Sequence, residues 1–279
     1  MPSPSDKAAA FRALHEGPGA FIIPNPWDAG TARLLAALGF EALATTSLGL
    51  ANMLGRPDAS VSRAEVIANC RTIVEATPLP VNVDLENGFA HRPEEAAEAI
   101  RLAAEAGAAG GSIEDFSGDR NDAIYDFDLS VARVKAAVAV ARAQPVPFLL
   151  TARAENLIRG RNDMADTIRR LQAYEAAGAD VLYAPGLRNL TEVRQVVQAV
   201  KRPFNVVTGW LDPAITAQQL AEAGAKRTSV GGALSRLALA TFVDAARGMK
   251  ERGSFAWMPQ MMAIPELSRL LAEGTDGSA

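Results

Sequence analysis

The sequence predicts a (β/α)8 barrel, on three observations. The phrases LAALGFEALATTS, AAEAGAAGGSIED, YEAAGADVLYAPG and LAEAGAKRTSVGG each run from an Ala/Leu-rich stretch through a glycine into a short apolar segment that ends in polar residues. A glycine after the last periodic residue is a helix stop and the apolar segment is a strand, so each phrase is an α-to-β junction. Three further apolar segments, LPVNVD, VPFLLTAR and RPFNVVTG, arrive after a proline, and GAFIIPNPWD opens the series. The resulting eight strands, each followed by a helical pattern, sit in 279 residues, a length at which such barrels commonly stand undivided.

In order, the strands are expected at 20–24, 41–47, 79–84, 109–114, 147–153, 180–184, 203–208 and 226–230. They read as near-continuous apolar runs, as parallel strands covered on both faces do. A doubly wound sheet would give similar local patterns, but its first turn would carry a Gly-rich phosphate fingerprint, and here that turn is NPWDAGTA. After the eighth strand, GALSRLALATFVDAARGMKERGSF forms one helix. MPQMMAIPELSRLLAEG forms another that a closed barrel does not need, within a C-terminal extension at about 254–273. An apolar extra helix must bury its face somewhere, and a second subunit is one place. The whole chain, 1–279, reads as one barrel domain without a linker, and GTDGSA at its end is expected to be disordered.

Composition narrows the function classes. The chain is 49% hydrophobic with a net charge of −4, enough apolar content for a large core. Basic and acidic residues are interspersed, and a pI near 5.4 argues against a nucleic-acid partner. No apolar run reaches the roughly 18 residues of a membrane span, and the N-terminal segment lacks a secretory h-region. Cys70 is the sole cysteine, which leaves neither a disulfide framework nor a Cys-based zinc site. The expectation is a cytoplasmic protein with a small-molecule substrate.

A barrel's active site sits at the C-terminal ends of its strands. Strand 1 ends near Trp27 and Asp28, strand 2 at Thr46-Ser47-Leu48-Gly49, strand 3 at Asp84 and Glu86, and strand 4 at Glu114 and Asp115. Strand 5 ends at Arg153 and Glu155, strand 6 at Tyr183, strand 7 at Asn205 and Thr208, and strand 8 at Gly231-Gly232. Three successive strand ends carrying acids call for a cation, because like charges raise one another's pKa unless compensated. Oxygen ligands without His or Cys select a hard ion, Mg²⁺ or Mn²⁺. Arg153 suits a substrate carboxylate through its planar fork, and Ser47 with the amides of Leu48 and Gly49 suits another anionic end. Trp27 and Asn205 join the substrate-contacting set by their places at strand ends.

Duller readings compete. Asp84, Glu86 and Asp115 each precede a helical stretch and could simply cap it. Cys70 reads as core, His15 as a solvated surface residue and His91 as a loop or helix-start residue. The methionines near Met261 read as core or interface.

The strand ends also form a recognisable pattern. NPWDAGTARLLAALGFEALATTSLGLANMLGRPD, VNVDLENGFA, GGSIED and TARAEN, in that order over about residues 20–210, resemble the isocitrate lyase/phosphoenolpyruvate mutase superfamily. The resemblance implies a barrel whose last helix is exchanged between subunits of a homodimer or homotetramer. It also implies Mg²⁺, and chemistry that makes or breaks a C–C or P–C bond beside an enolate. It implies Asp84 as the main metal ligand, Glu86 and Glu114 holding the metal through water, and Asp58 in the outer shell. Arg153, Tyr183 and Glu114 then form the catalytic set.

The departures are informative. Isocitrate and methylisocitrate lyases carry a Lys-Lys-Cys-Gly-His type segment after strand 4, where this chain has EDFSGDRNDAIYD. The phosphonate enzymes carry a lysine and an Asn-Ser pair there, and this loop offers Arg120 and Asn121. What remains is the branch that includes oxaloacetate decarboxylase and lyases of substituted malates. The expected activity is a Mg²⁺-dependent carbon-carbon lyase or decarboxylase acting on a 2-oxo or 2-hydroxy di- or tricarboxylate. Bound water or Tyr183 would supply the proton, and the loop at about 116–127 would close over the site. A P–C bond enzyme and a non-catalytic 2-oxo-acid binder stand as alternatives.

Overall fold

The computed structural model describes residues 1–119 and 121–276. Eight parallel strands, β1 (Phe21–Ile23), β2 (Leu43–Ala44), β3 (Val81–Asp84), β4 (Gly110–Glu114), β5 (Leu149–Arg153), β6 (Val181–Tyr183), β7 (Phe204–Val207) and β8 (Arg227–Ser229), lie in the order β1-β8-β7-β6-β5-β4-β3-β2. The remaining edge is bridged where Ala44 N–H donates to the Pro24 carbonyl at 3.0 Å, completing a nearly closed barrel. Every strand falls inside its expected span. The shortfall is largest in the second, where Thr46 leaves the ladder to cap the next helix, its hydroxyl accepting from Gly49 N–H.

The helices start where side chains satisfy their free N–H groups. Ser3 caps α1 (Pro4–Glu16), Asp28 caps α2 (Ala29–Ala37), Thr46 caps α3 (Ser47–Met53) and Ser62 caps α4 (Arg63–Ala76). Asp163, Asn189 and Thr216 do the same for α7 (Met164–Ala176), α8 (Leu190–Ala199) and α9 (Ala217–Glu222), whereas α5 (Pro93–Glu105) and α6 (Phe127–Arg142) start without a side-chain cap. None of Asp84, Glu86 and Asp115 caps the helix that follows it, which removes the dull reading of those acids. The junction glycines Gly39, Gly107, Gly178 and Gly224 all take left-handed φ, from +80° to +103°, as helix stops should.

One expectation about the strands needs correcting. They are not apolar on both faces. Val83, Ile113, Leu150, Ala152, Leu182, Phe204 and Val206 join the main core beneath the helices. The alternate positions Asn82, Ser112, Thr151, Asn205 and Arg227 are polar, buried and turned to the barrel interior, where branched apolar side chains usually dominate. The N-terminal end of the barrel is plugged conventionally, by Phe11 of α1 against Phe21, Ile23, Ala44, Ala109 and Leu149.

His15 is a second correction. It is buried, not solvated, its ring edge-on to Phe11 and Phe21. Cys70 is fully buried in the core. At the C-terminus, α10 (Ala233–Arg252) is followed by α11 (Ile264–Asp276), which lies on α2 of its own chain. Gly274 makes that crossing close, since a Cβ there would stand 1.9 Å from the Arg33 carbonyl oxygen. Gly274, Thr275 and Asp276 are therefore helical, not disordered, while residues 277–279 lie outside the described set. Among the described residues no helix is long and apolar enough to cross a membrane.

Candidate active site

A cavity of about 420 Å³ opens at the C-terminal ends of the strands and runs down into the barrel. Its mouth is lined by Ser47, Leu48, Asp58, Asp84, Arg153, Arg159 and Tyr183, and its depth by Asn82, Ser112, Asn205, Arg227 and Ser229.

The mouth is built by short-range geometry. Asp84 closes β3, where its Oδ2 accepts from Ser47 N–H at 3.2 Å and its own N–H donates to Thr45 Oγ1 at 2.9 Å. The chain then turns away, Gly88 N–H bonding the Leu85 carbonyl at 2.8 Å. Gly88 has φ +76°, and a Cβ there would stand 2.7 Å from the Ala96 carbonyl oxygen, so both conformation and space require glycine. Within this turn Glu86 itself takes φ +46°, and its Oε1 is buried with no hydrogen-bond partner. Burial, then the charges of Asp84 and Asp58, push its carboxyl up to about 8.

Compensation for the acids comes partly from arginines, contrary to the expectation that an ion alone supplies it. Arg153 Nη1 lies 3.0 Å from Glu114 and 3.9 Å from Asp84, and its Nε touches Glu155. That last contact is not aligned as a hydrogen bond. Burial alone would depress Arg153, but Glu114 and Glu155 outweigh it and keep the guanidinium charged. Its face lies over the Tyr183 ring at 4.9 Å. Burial raises the Tyr183 hydroxyl, so it stays protonated. Burial likewise holds Glu114 well above the usual carboxylate range against the pull of Arg153.

Arg159 was not singled out in the sequence, because it lies beyond the strand on a 3-10 turn. It pairs with Glu155 at 2.9 Å, approaches Glu114 at 3.8 Å and stacks on Phe116 at 3.6 Å. Asp115 turns away from the cavity. Its carboxylate accepts from Tyr174 Oη at 2.7 Å, Glu155 N–H at 2.8 Å and Arg170 Nη1 at 3.2 Å, an anchor beneath the mouth.

Some expected substrate contacts are placed elsewhere. The Gly49 N–H is taken by Thr46 Oγ1 at 3.3 Å, and Trp27 packs behind that turn, so neither residue lines the cavity. His91 bonds Tyr125 Oη at 2.6 Å, away from the mouth. The loop after β4 is a small hairpin. Phe116 bridges Ile124, Ser117 N–H bonds the Ala123 carbonyl at 2.9 Å, and the loop's described residues line no part of the cavity. Arg120 lies outside the described residues.

Among the described residues no three of His, Cys, Asp or Glu converge as a ready-made metal cage. Of the four expected metal residues, Asp84 and Asp58 line the mouth, while Glu86 and Glu114 lie outside its lining, Glu114 against Arg153 and Glu86 buried. Four carboxylates there, Asp84, Glu86, Glu114 and Glu155, face two guanidiniums, Arg153 and Arg159. These acids outnumber the arginines that pair with them, and burial and mutual repulsion hold Glu86 and Glu114 above the usual carboxylate range. Glu86 also keeps an unpartnered oxygen, and a divalent cation would compensate this set. Mg²⁺ suits such a site, since it takes one or two carboxylates directly and keeps several waters.

Beneath the cavity, behind Arg227 and outside its lining, His15 Nδ1 lies 2.8 Å from the Phe11 carbonyl, which can only accept. Nδ1 therefore carries the proton, and Nε2 accepts from Arg227 Nη1 at 3.3 Å. Burial, then Arg227, lower the His15 pKa to about 3. The folded state thus holds this ring neutral, while the unfolded chain protonates it near pH 6.5. Its contribution to stability is fully present above about 6.5 and falls by roughly 1.4 kcal/mol per pH unit as pH drops toward 3. His15→Gln is expected to flatten that part of the acid limb in urea titrations between pH 6.5 and 4. An unchanged slope would contradict it.

With this geometry in view, comparison with known proteins is decisive. The family model for phosphoenolpyruvate phosphomutase matches residues 11–250. The chain belongs to the phosphoenolpyruvate phosphomutase family. Within it, a crystal structure described as a lyase/mutase from Burkholderia cenocepacia superposes with a TM-score of 0.93 at 53% identity, covering 96% of each chain. The 2-methylisocitrate lyase of Escherichia coli K12 is 32% identical over 77% of this chain and 74% of its own. The oxaloacetate decarboxylase of Bradyrhizobium diazoefficiens is 29% identical over 70% of this chain and 68% of its own. The family thus includes lyases of small carboxylates as well as mutases, and this chain shares their barrel.

Proposed function

We propose that the protein is a Mg²⁺-dependent carbon-carbon lyase or decarboxylase acting on a small 2-oxo dicarboxylate. The observation that carries this reading is the unpartnered, buried Glu86 oxygen beside Asp84, at a mouth where acids outnumber arginines. A divalent cation bound there supplies Lewis-acid stabilisation to the enolate oxygen that forms as the bond breaks. Asp84 would hold such a cation directly, with Glu86 and Glu114 acting through water and Asp58 in the outer shell.

Arg153 is held in place by Glu114 and Glu155 and presents its charge to the substrate carboxylate from a fixed position. Tyr183, protonated and under Arg153, is the side chain placed to return a proton to the enolate carbon. The loop after β4 holds Phe116 against Arg159 and so supports the mouth from behind. Decarboxylation or retro-aldol cleavage needs little further acid–base equipment, which suits a site without Cys or His. Screening 2-oxo and 2-hydroxy di- and tricarboxylates for Mg²⁺-dependent pyruvate release tests the reading. No release from any of them, with oxalate binding intact, would leave a binding protein in its place.

The working form is proposed to be a homodimer or homotetramer in the cytoplasm. Leu237 (64% exposed) and Phe242 (70%) on α10, with Phe255, Met261 and Ile264 (80%) after it, are exposed apolar side chains that a second copy would cover. Phe242→Asp is expected to shift the protein to monomer in sedimentation velocity. An unchanged assembly would place the interface elsewhere.

A further inference from the structure

We propose that Arg227, on the floor of the cavity, is a second anion site that holds the distal carboxylate of the substrate. The proposal rests on the reading of the mouth given above and adds to it the length and charge of the molecule that fits.

Arg227 is 3% exposed, yet it lines the same cavity as Asp84 and Arg153. Its three observed partners are all neutral. Nε donates to Asn205 Oδ1 at 2.8 Å, Nη2 to Thr151 Oγ1 at 3.2 Å, and Nη1 to the neutral ring of His15 at 3.3 Å. Among the described residues no carboxylate comes within ion-pair distance of it, whereas Arg153, Arg159 and Arg170 each hold at least one. Burial lowers its pKa only to about 10, so at neutral pH it remains a buried cation without a counter-ion. Such a group is costly unless an anion joins it. A guanidinium has five N–H groups and three are engaged, which leaves one on each Nη. Two donors of a buried cation are thus without a partner, and a carboxylate takes such donors in charge-assisted hydrogen bonds.

The surroundings point the same way. Asn205 is itself fixed by donating to Ser229 Oγ at 3.0 Å, so it holds Arg227 without neutralising it. Asn82 also lines the cavity, and its buried Oδ1 has no hydrogen-bond partner. An empty apolar barrel would leave no such atom waiting. Thr151, which marks the depth of the guanidinium, precedes Arg153 by two residues on β5. That is roughly 6.5 Å further from the mouth at about 3.3 Å per residue. A diacid with one end at Arg153 and the other at Arg227 therefore carries its carboxylates on a short carbon chain, and a monoacid leaves the floor unfilled.

The test measures binding of oxalate, pyruvate and 2-oxoglutarate, each with Mg²⁺, by titration calorimetry on the full chain. Oxalate reports the mouth alone. Wild-type protein is expected to favour 2-oxoglutarate over pyruvate by at least about ten-fold, as charge-assisted hydrogen bonds imply. Arg227→Gln should erase that preference and leave oxalate affinity within about two-fold. Asn205→Asp guards against a folding defect, because it keeps the shape and gives Arg227 an internal counter-ion; it too should erase the preference. A diacid preference that survives in both variants, or that wild-type protein lacks, overturns the floor site. Failure of wild-type protein to bind oxalate with Mg²⁺ would instead overturn the reading of the mouth.

Discussion

Asp84→Ala is expected to weaken Mg²⁺-dependent oxalate binding by at least about 100-fold and to abolish turnover, because it removes the ligand proposed to hold the metal directly rather than an outer partner. The fold should survive. Asp84 is half-buried, and its loss leaves Ser47 N–H without its side-chain acceptor, a cost of about 1 kcal/mol. Against that, Asp84 is one of the charges that push Glu86 and Glu114 upward, so removing it relieves repulsion at the mouth. The metal-free variant should therefore melt within a few degrees of wild type. Asp84→Asn sharpens the contrast, since it can still accept from Ser47 but offers a metal no charge. Oxalate affinity unchanged in both variants would remove Asp84 from the metal site.

The fold was legible because its signals are local and repeated. The junction glycines lie in the one backbone region that favours glycine. The strand ends were legible too, since a barrel puts chemistry there whatever the loops do. The floor was not recognised, although its signal is present. Asn82/Asp84, Ser112/Glu114, Thr151/Arg153 and Arg227/Ser229 are polar at every second position, which marks one face of each strand. Read by average hydropathy, those strands pass as apolar. His15 misled for another reason: only the packed bottom of the barrel shows that its ring closes on Phe11 and Phe21. Arg159 required knowledge that the chain after β5 doubles back, which no periodicity encodes.

Arg153→Lys separates two roles that the sequence could not distinguish. If Arg153 served substrate alone, the change would weaken binding and leave the metal-free, ligand-free protein as stable as before. In the structure the guanidinium also lies between Glu114 and Glu155, both buried, and touches them through two different nitrogens. A lysine ammonium is a single point charge that cannot face both acids in that geometry. One carboxylate is then left without its partner in a buried setting, and the loss of even part of such a pair costs on the order of 2 kcal/mol or more. Arg159 pairs with Glu155 at 2.9 Å but reaches Glu114 only at 3.8 Å, so Glu114 is the acid left exposed to the penalty. The expected result is a lowered urea midpoint without ligand, together with weaker oxalate binding. Adding Glu114→Gln to Arg153→Lys should recover part of the stability, since the buried acid that lost its partner is gone, but none of the oxalate affinity. A midpoint unchanged in Arg153→Lys would show that Arg153 serves the substrate and not the acids around it.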